Sequence, residues 1–294
     1  MLMLLVTYNP IPKPISIIST SELGLTLPHP NTPRLKKSQS VRTPSYLIFG
    51  RTQQKHQSCR TGKRTVMKFT DSPVIELPVR NSLISLQQDN GSMHVGTSVW
   101  PCSLVLVKFI DRWAPPTPNP IDPNPYSQLL DFRNKRGIEL GAGCGAGGMG
   151  FHLLGLTDLV LTDIAPVMPA LKHNLKRNKP VLSKTLKHSI LYWNNLDQIN
   201  SLKPPFHYVI AADVVYIEET VGPLVSTMDA LMADDGVVLL GYQLRDPEAD
   251  KLFWELCDKT FDIEKVPHED LHPDYAYEET SVYVFRKKKK KEES

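Results

Sequence analysis

The chain has 294 residues, 41% of them apolar and 22% charged, so a buried core is expected in one large domain or two. Its four cysteines, Cys59, Cys102, Cys144 and Cys257, show no C-x-x-C spacing, which argues against a disulfide framework or a zinc site and suits a reducing compartment. No apolar run reaches the roughly 18–20 residues that span a membrane, and the net charge of +3 hides an asymmetry: residues 1–68 hold eleven Lys/Arg and one acid, Glu22, which leaves 23 basic and 30 acidic residues and a net −7 in 69–294.

An acidic body argues against a nucleic-acid-binding core and for a basic protein partner. Residues 1–66 are rich in Pro, Ser, Thr and basic residues, without a sustained period, and read as a disordered basic extension. An acid-poor, Ser/Arg-bearing N-terminus equally resembles an organelle transit peptide, and both readings stand. Met67 opens the first strand-like text and is the expected start of the functional protein, whose domain runs over 67–286.

Two short β-like runs follow, Val74–Val79 and Leu83–Gln87. Then comes Gly96-Thr97-Ser98-Val99-Trp100 and an apolar helix from Pro101 to about Trp113, with Leu104, Val107, Lys108 and Trp113 suggesting a face. Residues 114–126 carry six prolines and no pattern, the mark of a loop insertion.

From Gly137 the text alternates strand and helix, which predicts a mainly parallel sheet covered on both faces. The strands are expected at Gly137–Leu140, Leu159–Thr162, Leu186–Leu191, Tyr208–Ala212, Gly236–Gly241, Phe261–Val266 and Ser281–Arg286. The helices are expected at Ala146–Leu154, Pro166–Asn178, Glu218–Met232 and Pro247–Lys259. The last two strands make a hairpin-like finish, with one antiparallel to the rest. Residues 287–294 form a solvated, charged tail.

The run Arg136-Gly137-Ile138-Glu139-Leu140-Gly141-Ala142-Gly143-Cys144-Gly145 reads as a buried strand, a glycine turn and a helix start. Thr162-Asp163 closes the next strand. Such a βαβ unit brings backbone close to a ligand at a helix N-terminus. Asp163 lies 22 residues after Gly141, a spacing suited to ribose hydroxyls. Gly141, Gly143 and Ala146 also satisfy the dinucleotide pattern G-x-G-x-x-G/A. Two features point away from NAD: Glu139, two residues before the first glycine, and the polar cluster Ala211-Ala212-Asp213-Val214-Val215-Tyr216 at the carboxyl edge of the fourth strand.

These motifs, with Val99-Trp100-Pro101 before the first helix and Asp213-Val214-Val215-Tyr216-Ile217-Glu218-Glu219 after the fourth sheet strand, resemble the class I, seven-β-strand S-adenosylmethionine-dependent methyltransferases. More narrowly they resemble the family 16 protein lysine methyltransferases that modify non-histone proteins such as Hsp70-type chaperones. The resemblance covers about 70–294. Its glycine motif is general to such methyltransferases, whereas the D-x-x-Y motif together with the V-W-P segment is much more specific to family 16. It implies an α/β, Rossmann-like sheet of seven strands, mostly parallel with one antiparallel strand and helices on both faces.

The resemblance also assigns roles. Gly141, Ala142 and Gly143 would lie under the amino-acid part of S-adenosyl-L-methionine, with Glu139 near its ammonium group and Asp163 on its ribose. Trp100 would border the pocket, Trp193 would lie near the adenine, and Ala212 would leave room for the cofactor. Asp213 and Tyr216 would face the substrate. Plainer readings remain for several residues: Glu139 as an acid paired with an arginine, Asp163 as the cap of a helix from Pro166, Trp100 and Trp193 as core anchors, and Asp213 as the cap of a helix near Glu218. Cys144 reads as small packing, and His94, His152, His173 and His188 show no ligand-like spacing.

A lysine amine has a pKa of about 10.4, so neutralising it at pH 7 costs roughly 4–5 kcal/mol. The site therefore needs an apolar channel and acceptors that orient the amine, but neither a metal nor a covalent nucleophile. The expected enzyme is a monomeric protein N-lysine methyltransferase of the cytoplasm, or of plastid or mitochondrion if residues 1–66 are a transit peptide, with a protein substrate and neither nucleic acid nor membrane as partner. Competing readings are methylation of a small molecule or another side chain, and a weakly active partner-binding module. An NAD oxidoreductase lacks a second domain and a hydride-transfer acid. The prolines of 114–126 make that connection longer than the family's, and residues 1–66 have no family counterpart.

Overall fold

A computed structural model describes residues 71–89, 91–115 and 124–289. The expected basic extension, the start at Met67, Cys59, most of the Pro-rich insertion and residues 290–294 lie outside the described residues.

An antiparallel hairpin, β1 (Val74–Val79) and β2 (Ser82–Gln87), opens the described chain. Helix α1 (Pro101–Trp113) follows, started by the proline at its first position. Then come β3 (Arg136–Leu140), α2 (Ala146–Leu153), β4 (Asp158–Asp163), α3 (Met168–Arg177), α4 (Lys179–Leu182), β5 (Lys187–Ile190), α5 (Leu196–Ser201), β6 (Phe206–Ala212), α6 (Glu218–Leu231), β7 (Met232–Tyr242), α7 (Pro247–Thr260), β8 (Phe261–Lys265) and β9 (Ser281–Lys287).

The main sheet has seven strands in the order β5-β4-β3-β6-β7-β9-β8. β3 to β7 pair in parallel, and β9 is antiparallel to both β7 and β8. β9 is thus the single reversed strand, as the alternating pattern and its hairpin-like finish imply. Side chains alternate between two cores. Tyr208, Ile210 and Leu239 face α1, α2 and α3, while Val209, Ala211, Val238 and Leu240 face α6 and α7. The strand order reverses at β3 and β6, and at that switch point the carboxyl ends of the strands diverge to leave a crevice.

Several bounds differ from the sequence reading, each for a physical reason. α3 begins at Met168 because Val167 N–H closes a turn onto Ile164 O, leaving Pro166 outside the helix. β7 starts at Met232, where a bulge against β6 admits the polar Asp234 and Asp235. Lys287 ends β9 rather than beginning a free tail; it pairs with Asp229 and Asp234, and Lys288 N–H donates to Thr260 O. α4 and α5 are too short to leave a period in the sequence.

Helix α3 holds the hairpin in a specific way. Asn174 accepts from Gln87 N–H at 2.8 Å and donates to Gln87 O at 3.0 Å, and Asn178 does the same for Ser85, at 2.8 Å each way. Two amide side chains thus stand in for a neighbouring strand along the free edge of β2. Beyond β2, Gln88 Oε1 accepts from Val99 N–H at 2.7 Å and ties down the segment that leads into α1. Asn174→Ala should destabilise the protein by about 1–2 kcal/mol, since it removes the amide that pairs the part-buried backbone N–H and C=O of Gln87. Urea denaturation measures the loss, and hydrogen exchange should show the Gln87 amide opening well before the amides of β3.

Candidate functional site

The crevice at the switch point is a cavity of about 770 Å³. All ten residues singled out in the sequence border it: Trp100, Glu139, Gly141, Ala142, Gly143, Asp163, Trp193, Ala212, Asp213 and Tyr216.

Its floor is the turn after β3. Gly141, Gly143 and Gly145 all have positive φ, at 65°, 54° and 86°. At Gly143 a Cβ would come within 2.9 Å of Gly96 O, so only glycine lets the turn approach the segment before α1. Gly143 N–H donates to Asp163 Oδ2 at 2.7 Å and Ile164 N–H to Oδ1 at 2.7 Å. The end of β4 thereby pins the turn at the end of β3. Asp163 is 9% exposed; burial raises its pKa while these two donors oppose the rise. It caps no helix, because α3 starts later.

Glu139 is buried in β3 and, among the described residues, no arginine meets it. Its Oε2 accepts from Gly148 N–H, in α2, at 2.9 Å. Gly148 has to be glycine, because a Cβ there would lie 2.6 Å from that oxygen and 2.5 Å from Leu161. Burial pushes the Glu139 carboxyl up to about 8, only partly countered by the Gly148 donor. A desolvated acid beside a cavity, short of partners, is matched chemically by a ligand cation.

Trp100 and Trp193 are neither wholly core nor wholly exposed. Trp100 Nε1 donates to Val95 O at 2.9 Å, which fixes its indole, and the Trp193 carbonyl accepts from Thr227 Oγ1 at 2.6 Å, which holds its backbone; both residues border the cavity. Ala212 ends β6 and Asp213 follows in the left-handed region, φ 61°, a conformation that Asp tolerates better than most residues. Asp213 does not cap α6, whose N-cap, Ile217, has no side-chain bond. Instead Asp213 forms a two-pronged ion pair with Arg245, at 2.8 and 2.6 Å. Tyr216 is 39% exposed, and burial, Asp163 and Asp213 together raise its phenol pKa.

Sequence reasoning missed Arg245 and the wall formed by Met93–Gly96. His94, whose spacing is not ligand-like, borders the cavity too. Arg245 sits just past the carboxyl end of β7, a position that could have flagged it; the wall carries no motif. Cys144 packs in the glycine turn with its thiol pushed up to about 12 by burial, which makes it no nucleophile. His152 and His188 contact the carbonyls of Leu182 and Leu186, and His173 contacts Gln87.

Because Glu139 holds its proton more tightly when folded, its contribution to stability is fully present below its ordinary pKa of 4.5 and is lost as pH rises toward about 8. Glu139→Gln should flatten that fall. Denaturant midpoints of the two proteins, measured across this range without ligand, should diverge as pH rises, with the variant the more stable at the alkaline end.

Residues 79–260 match the family model described as lysine methyltransferase. Protein N-lysine methyltransferase METTL21A of Danio rerio is 31% identical over 206 residues, covering 69% of this chain and 85% of that protein. METTL21A of Mus musculus is 27% identical over 205 residues, 68% and 85% of the two chains. EEF1A lysine methyltransferase 3 of Mus musculus is 29% identical over 183 residues, 62% and 71%. The family match spans every residue named above as bordering the cavity. The chain belongs to the lysine methyltransferase family, on the match of residues 79–260 and on its kinship with protein N-lysine methyltransferases.

Proposed function

We propose that this enzyme uses S-adenosyl-L-methionine to methylate a lysine of a non-histone protein, such as an Hsp70-type chaperone. The observation that carries the reading is the convergence of Glu139, Asp163 and Asp213 on one cavity at the carboxyl edge of the sheet. Support for a non-histone substrate comes from the family and from a relative named for acting on EEF1A. Three buried, unpaired thiols, Cys102, Cys144 and Cys257, agree with a reducing compartment such as the cytoplasm. No helix among the described residues is long and apolar enough to cross a membrane.

The residues present fit the cofactor. The turn Gly141-Ala142-Gly143 would carry its amino-acid part, the buried carboxyl of Glu139 would meet its ammonium, and Asp163 would accept from its ribose hydroxyls. Asp163 can do so while bonded to Gly143 and Ile164, because a carboxylate offers about four acceptor positions. Trp193 offers a flat apolar surface to a purine, Trp100 closes the side of the cavity, and Ala212 leaves space beside β6. When bound, the cofactor supplies an electrophilic methyl group on a sulfonium. The chain's own task is to admit the lysine along a partly apolar mouth, strip water from it and align its lone pair. Tyr216 walls that mouth and Asp213 accepts from the amine.

Two outcomes are expected. Asp163→Ala should weaken S-adenosylmethionine binding by about 2–3 kcal/mol, through the loss of charge-assisted hydrogen bonds; unchanged calorimetric affinity would remove the ribose role. Asp213→Ala should leave that affinity nearly intact and lower turnover by about a hundredfold or more. The readout is labelling of a cell extract from the source organism with tritiated cofactor, separated on a gel. A discrete band made by the wild type and lost in Asp213→Ala identifies a protein substrate, whereas cofactor binding without any band would move the assignment to a small molecule or a binding module.

A further inference from the structure

The acid at the amine end of the cavity is not free. Arg245 Nε donates to Asp213 Oδ1 at 2.8 Å and Nη2 to Oδ2 at 2.6 Å, with side chains 16% and 4% exposed. The guanidinium carbon of Arg245 lies 4.9 Å from the centre of the Trp100 ring. A planar fork bound in two places and stacked on an indole is rigid in a way a lysine could not be. Among the described residues, Arg245 is the only lysine or arginine that borders the cavity.

The pairing alters what Asp213 can do. A lone carboxylate beside a lysine stabilises the ammonium, which has no lone pair and cannot take a methyl group. Arg245 cancels that charge yet uses only part of the acceptor capacity of the carboxylate. The pair can therefore accept an N–H from the amine without holding its extra proton. The other ionisable groups facing Asp213 do not supply this cancellation. Cys102 of α1 is kept neutral by burial and by Asp213 itself, and Tyr216, beyond β6, is kept a neutral phenol. Glu219, in the first turn of α6, and Asp163 and Glu139, on β4 and β3, are acids, and His94, on the segment before α1, borders the cavity but forms no ion pair with Asp213 among the described residues.

We propose that Arg245 is a positioning residue for methyl transfer, fixing Asp213 and neutralising its charge so that the substrate lysine is held as the free amine. This rests on the reading of the cavity as a lysine methyl-transfer site. The lysine proton leaves to solvent first; the amine nitrogen then bonds to the methyl carbon, and the electron pair of the broken carbon–sulfur bond stays on sulfur.

The test compares initial labelling rates of the full-length wild type, Arg245→Gln and the double variant Asp213→Asn/Arg245→Gln, on the band that the wild type labels, between about pH 6.5 and about pH 9.5. Arg245→Gln should lose most activity at low pH and recover toward high pH, its rising limb displaced upward by about one pH unit or more. The double variant, neutral paired with neutral, should return the limb to the wild-type position even where its rate is lower. Arg245→Lys keeps the charge without the fork, and should keep the limb in place at reduced rate; it serves if Arg245→Gln melts too early to assay. A ratio of variant to wild type that is constant with pH would overturn the proposal, as would a double variant that leaves the limb displaced. No band from the wild type would remove the underlying reading and the proposal with it.

Discussion

The constraint on which this structure turns is the burial of acids. Glu139, Asp163 and Asp213 sit at the carboxyl ends of three neighbouring strands, each largely withdrawn from water. An isolated carboxylate in that setting would be prohibitively costly, so each needs its own remedy. Asp163 takes two backbone donors, Asp213 takes a guanidinium, and Glu139 takes one backbone donor and keeps its proton well above the ordinary range. The three solutions suit the three proposed tasks: a hydroxyl acceptor calls for a fixed carboxylate, an amine acceptor for a screened one, and a partner for an ammonium for one left short of partners.

Those remedies reach back into the backbone. Asp163 can hold the turn after β3 only because Gly143 brings its N–H close while Gly96 O lies against its other side. Glu139 can receive Gly148 only because the start of α2 lacks side chains at that point. The segment that follows the hairpin completes the wall, and the two stay in place through the asparagines of α3 and through Gln88. A core of ordinary apolar packing thus supports a rim fixed mostly by polar bonds, and a rim of that kind is sensitive to single substitutions far from any ligand.

Much of the fold was legible along the chain. Periodicity placed α1 at its observed bounds and each of the seven sheet strands within a few residues, because long, buried, β-rich runs bounded by glycine or proline leave a clear trace. The start of β7 was not legible, since its bulged first turns contain polar Asp234 and Asp235 that look like loop. α4 and α5 were missed because a single turn or two has no period. Of the site, every residue given a cofactor or substrate role from the sequence reached the cavity. Arg245 and the Met93–Gly96 wall did not announce themselves, because their membership depends on which segments the sheet brings together.

By itself, then, the sequence determined the strand–turn–helix units, the glycine turn and the identity of the acids, all properties of residues close in the chain whose chemistry is local. Only the tertiary structure decided what those acids touch. It gave Asp213 to Arg245, 32 residues away, rather than to the first turn of α6, and it gave Glu139 to Gly148 rather than to an arginine. The reason is physical: the partner of a buried charge is chosen by whichever donor the folded chain places within hydrogen-bond reach, and that distance is set by the order of strands in the sheet.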